Sequence, residues 1–141
     1  MKKILRKTAL ILLSVLMALS MVSCASFEAL DTTATEMLTA FLAKDAQKMS
    51  ELGHPDYAIE SEKYEAYFAV LELEYGSELY ESSIDSVKAT TRSMSAYDTK
   101  YGGSVAYSEY VVVLSGEEYV MKCATVKNDN GEGVVQFDFG G

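Results

Sequence analysis

The sequence predicts an α+β domain in which N-terminal helices pack on a curved antiparallel sheet meander. Three observations carry this. Apolar residues recur at helical spacing up to about residue 75, the period then changes to about 2, and Ser-Gly and Asn-Gly pairs punctuate the second half. Helices that all precede the strands argue against the alternation of a parallel α/β sheet.

The first helix is expected from Thr33, since Thr33 and Glu36 have capping-box spacing and Ala34, Met37, Leu38, Phe41 and Leu42 form one stripe behind them. Asp45 is expected to cap a short second helix that points Met49 and Leu52 inward, with Gly53 as its left-handed stop. His54-Pro55-Asp56 is loop. A third helix from Ser61 places Tyr64, Tyr67, Phe68 and Leu71 on one side; residues 71–75 also alternate with strand period, so the helix either runs on to include Tyr75 or ends early, and Gly76 marks a break in both cases. Strands are expected over residues 84–94, 105–114, 118–127 and 134–139. Residues 96–103 are a connection, and Ser115-Gly116 and Asn128-Asp129-Asn130-Gly131 are hairpin turns.

Ahead of the domain, Lys2, Lys3, Arg6 and Lys7 precede a run from Ala9 to Val22 that is apolar apart from Ser14 and Ser20. A membrane-crossing helix needs about 20 apolar residues, so this shorter core reads as a cleaved signal. Its end, Met21-Val22-Ser23-Cys24, resembles the lipobox of bacterial lipoproteins, with Met21 standing where leucine is commonest. The resemblance implies that residues 1–23 are removed and that Cys24 becomes a lipidated N-terminus carrying a diacylglyceryl thioether and a further acyl chain such as palmitate. It also implies an anchor in the bacterial cell membrane, facing outside the cytoplasm. An ordinary secretory signal with a chance cysteine is the alternative. On this reading residues 24–30 are the lipidated cysteine and a short tether, and residues 31–141 form a single domain.

Removing residues 1–23 takes away four of the 12 basic residues and none of the 21 acidic ones, leaving a net charge of −13. That surface repels phosphate backbones, which argues against nucleic acid, and it repels anionic headgroups, so the domain is expected to stand off its membrane. Only Cys123 remains beyond the anchor, so the fold has to hold by packing without an internal disulfide.

The helix Met37-Leu38-Thr39-Ala40-Phe41-Leu42, the lysine-aspartate step into a short glycine-terminated helix, and the closing strand Val134-Val135-Gln136-Phe137-Asp138-Phe139 together resemble the nuclear transport factor 2-like superfamily. The resemblance spans most of residues 31–141 and is one of element order. It departs at Glu132-Gly133-Val134, where many members have a glycine followed by tryptophan. It implies a cone whose open end can hold a small molecule. Members include enzymes, binding modules and dimerisation platforms, so the fold does not choose between them.

Candidate residues for chemistry are few. His54 and Asp56 could form an acid–base dyad at the mouth of the cone, or His54 could be a solvent-facing loop residue near a helix end. Tyr64, Tyr67, Tyr107 and Tyr110 could line a ligand site, or serve β-propensity and core filling. Cys123, mid-strand, reads as a small core residue. One histidine and one free cysteine cannot make a zinc site, and Val126 stands where a calcium loop needs its first acid, so neither a metal nor a cofactor is expected. The expected function is that of a non-catalytic, lipid-anchored envelope module binding a small ligand or an envelope protein. The alternative is a small hydrolase or isomerase using the cone with His54 as acid or base.

Overall fold

A computed structural model describes residues 26–140; Cys24 and the signal segment lie outside the described residues. The chain runs through helix α1 (Phe27–Leu42), α2 (Ala46–Glu51) and α3 (Ser61–Tyr75), then a 3-10 turn (Ser77–Glu81). Strands β1 (Ile84–Asp98), β2 (Gly103–Leu114), β3 (Glu117–Asn128) and β4 (Gly131–Phe139) follow. The strands form one curved antiparallel sheet in the order β1-β2-β3-β4, with the helices packed on one face. This is the α+β class expected from the sequence.

Helix α1 begins six residues before the expected Thr33. The Ser26 side chain accepts the Ala29 N–H at 3.1 Å, serving one of the free donors of the first turn. The expected capping box at Thr33 and Glu36 is not used, because both residues lie inside the helix. Leu30, assigned from the sequence to the tether, is fully buried and extends the stripe backwards through Ala34, Met37, Leu38 and Phe41. The helix ends in a Schellman arrangement, in which Lys44 N–H donates to Phe41 O and Asp45 N–H to Ala40 O. Lys44 takes the left-handed position there, at φ 54°, where glycine is usual.

Asp45 caps α2 as expected, its side chain accepting the Lys48 N–H at 3.0 Å. Gly53, however, is not a left-handed stop; its φ is not positive. Its small size serves contact instead. His54 N–H donates to Val134 O at 3.0 Å and Val134 N–H donates to Leu52 O at 2.9 Å, so the chain after α2 is laid along β4 as a short parallel bridge. A Cβ on the facing Gly133 would run into the backbone of Gly53 and His54. The edge formed by β4 is therefore covered at Val134.

Helix α3 starts at Ser61 as expected and runs on to Tyr75, the later of the two ends that the sequence left open, and Gly76 follows it at φ 86°. The β2–β3 turn is Ser115-Gly116, both residues at positive φ as a two-residue hairpin loop requires. The β3–β4 turn is Asp129-Asn130. Strand β1 is longer than expected, continuing to Asp98, and its register against β2 shifts at three places. Such irregularities bend an edge strand away from the regular ladder that would recruit another chain.

The core lies between α1 and the inner sheet face. Inward residues alternate along β2 as Ala106, Ser108, Tyr110, Val112 and Leu114, joined by Met121 and Cys123 from β3 and Phe137 and Phe139 from β4. Phe41 is fully buried, and its ring centroid lies 4.8 to 6.2 Å from those of Tyr67, Phe68, Tyr80, Phe137 and Phe139. Five rings around one leave the helix-facing side of the sheet filled.

Candidate functional site

His54 enters the site through the bridge just described, which fixes its backbone against β4. Its side chain is fully buried, which corrects the reading of a solvent-facing loop residue. The ring points into the β3–β4 turn. Nε2 lies 2.9 Å from Asn128 Oδ1 and 3.1 Å from Gly131 O, both acceptors, while Nδ1 accepts the backbone N–H of Asp56 at 3.0 Å. That pattern selects the neutral tautomer with its proton on Nε2.

Asp56 does not complete a dyad of the kind the sequence suggested. Its Oδ2 lies 4.0 Å from Nδ1, and the same oxygen accepts from Asn130 Nδ2 at 2.9 Å. Asn128 adds Nδ2–H to Tyr101 O at 3.0 Å, and its Oδ1 accepts the Asn130 N–H at 2.9 Å. The four side chains thus tie three loops together, and the imidazole spends both nitrogens inside the protein. Outside this network, Asp56, Tyr57, Lys100, Tyr101 and residues 128–130 border an open recess of about 430 Å³ with a mainly polar lining.

The four tyrosines named from the sequence do not converge. Tyr64 is buried on α3, where burial pushes its hydroxyl up to about 12. Tyr67 accepts the Phe139 N–H at 2.8 Å and donates to Phe139 O at 3.2 Å, fastening α3 to the end of β4. Tyr110 is buried under α1 and donates to Asp31 Oδ1 at 2.7 Å; burial, then the Asp31 carboxylate, raise its hydroxyl well above the ordinary range. Tyr107 alternates to the opposite sheet face and donates to Glu109 at 2.8 Å. Three of the four therefore build the core or its fastenings, and the fourth faces away from it.

Cys123 is fully buried, and burial pushes its thiol from 9.0 up to about 12. The consequence is measurable. An unfolded chain gives up this proton above about pH 9 and the folded one holds it, so the folded state binds more protons and stability falls as pH rises from 9 towards 12. The tyrosines raised by burial add to this fall, because unfolded tyrosine is already about half ionised at pH 10. The thiol's share is the difference between two proteins: urea midpoints are expected to drop more steeply from about pH 8 to 10 for the wild type than for Cys123→Ala. Equal slopes would rule the assignment out.

Among the described residues no group of three or more His, Cys, Asp or Glu side chains is placed to hold a metal ion, and no helix is long and apolar enough to cross a membrane. Comparison with known proteins returned no matching family model and no matching curated relative. One solved structure is similar. It is the crystal structure of a DUF4783 family protein from Bacteroides ovatus ATCC 8483, with 10% sequence identity and a TM-score of 0.41, covering 74% of this chain and 90% of that one.

Proposed function

We propose that this chain is a lipid-anchored, non-catalytic module of the bacterial cell envelope, tied to the membrane through Cys24 and exposing its α+β domain for binding outside the cytoplasm. The N-terminal sequence supports the anchor: a basic head, an apolar core too short to span, and small residues running into Cys24. One observation carries the non-catalytic half of the reading. His54, the one histidine in the chain, is fully buried with both ring nitrogens engaged by Asn128, Gly131 and Asp56, which gives a substrate no access to its proton. The filled helix-facing side of the sheet favours a protein partner over a small ligand held inside a cone. The nuclear transport factor 2-like kinship belongs to the same proposal, resting on helices followed by a meander.

The anchor is tested in cells given labelled palmitate. Wild type is expected to take up label and to stay with membranes after an alkaline wash, and Cys24→Ala is expected to lose the label. Equal membrane retention of an unlabelled wild type and of the variant would overturn the anchor.

A further inference from the structure

We propose that the stretch from Lys88 to Lys100, with Phe27 beside it, is the surface that the domain lays against the bilayer; this rests on the Cys24 anchor proposed above. The connection leaves little freedom. The capped start of α1 at Ser26 is two residues past Cys24, and two residues span at most about 7 Å between Cα atoms. Where the chain emerges is also fixed: the Arg92 guanidinium lies 4.9 Å above the Phe27 ring and 2.7 Å from Asp31 Oδ2. A lipid on Cys24 would thus be tethered within about 7 Å of the start of α1, which packs beside the middle of β1, a strand with no neighbouring strand on its outer side among the described residues.

Charge singles out the same strand. Residues 88–100 hold Lys88, Arg92 and Lys100 against Asp98 alone, whereas the other described residues hold five basic and twenty acidic side chains. Arg92 shares its charge with Asp31, so the exposed Lys88 and Lys100 supply most of the attraction to headgroup phosphates. Met94 and Tyr97 are 43% and 65% exposed in the same stretch, and tyrosine is favoured at the level of the headgroups. Attraction of this stretch and repulsion of the acidic remainder turn the domain in the same sense, so the net negative charge, which by itself would hold the domain off the membrane, here sets which face is turned towards it. Screening limits both to about 10 Å, a range that the short connection keeps within reach.

The chain has no tryptophan, so single replacements report cleanly. Protein matured in cells from the full chain, carrying Tyr97→Trp, or Leu73→Trp on α3, is placed in phosphatidylcholine–phosphatidylglycerol vesicles containing brominated acyl chains. Quenching of at least twofold is expected at position 97 and little at 73. Adding Lys88→Glu and Lys100→Glu should relieve it while the protein still floats with the vesicles. Floating protein with no quenching at 97, or with equal quenching at both positions, overturns the orientation while leaving the anchor in place. Protein that does not float overturns the anchor, and the orientation with it. An indole at position 97 that is shielded from water yet not quenched by bromine, together with a doubled mass in detergent, would overturn the orientation by assigning the β1 edge to a second copy.

Discussion

Phe41→Ala is expected to lower the stability of the domain by about 4 kcal/mol, the middle of the range of roughly 3–5 kcal/mol for deleting a buried phenylalanine. The position justifies a loss of that size. The ring is fully buried and is contacted by five other aromatic rings contributed by α3, the 3-10 turn and β4. Alanine removes the transfer energy of the ring and leaves a void that five ordered rings cannot collapse into without leaving their own contacts. Domains of this size are stable by about 5–15 kcal/mol, so a loss of that order removes a large share of the total. Urea unfolding of the chain from Ser26 onward measures it. Phe41→Leu should recover at least half, and a loss below about 1.5 kcal/mol for alanine would show that the rings do not form one packed unit.

His54→Ala is expected to cost about 3 kcal/mol, through a different route. The Asp56 N–H and the Gly131 carbonyl each lose a partner, Asn128 loses a donor to its side-chain oxygen, and a fully buried ring is removed. Leaving one fully buried polar group unpaired costs about 1–3 kcal/mol, and less here for each because these contacts are only part-buried and water can replace some of them, with a cavity contribution added. Asp56→Ala should cost under about 1 kcal/mol, because its carboxylate is partly exposed and Asn130 is its closest partner. Amide exchange in the Asn128 to Gly131 turn should speed up in the histidine variant. A variant with wild-type stability and a lost envelope function would instead make His54 a functional group, and the proposal of a non-catalytic module would fail.

Much of the fold was legible because its signals are local. Asp45 caps α2 through a residue three positions away, Ser115-Gly116 has the residue types a two-residue hairpin wants, and α3 carries its buried stripe at helical spacing. The start of α1 was missed, although Leu30 lies four residues before Ala34 on the same stripe. The nearer capping-box spacing at Thr33 drew the boundary away from it. The site was not legible, because its partners come from distant segments. Nothing near His54 announces that Asn128 and Gly131 will close over it, and the role of Gly53 becomes visible only when β4 places Gly133 opposite. Tyr110 and Asp31 likewise meet only after α1 crosses the sheet.

The aromatic cluster around Phe41 also governs when this chain can fold. Two of its five rings, Phe137 and Phe139, belong to the final strand, and the bridge that seats His54 needs Val134 from the same strand. Helices α1 to α3 are made first and have no sheet to pack on, and isolated helices of their length are marginal in water. Their burial waits for contacts between the two ends of the sequence, which are slow to close. A nascent chain therefore stays loose until β4 has been synthesised, and for one exported as proposed, that delay keeps it threadable through a narrow channel until it reaches the compartment where it folds.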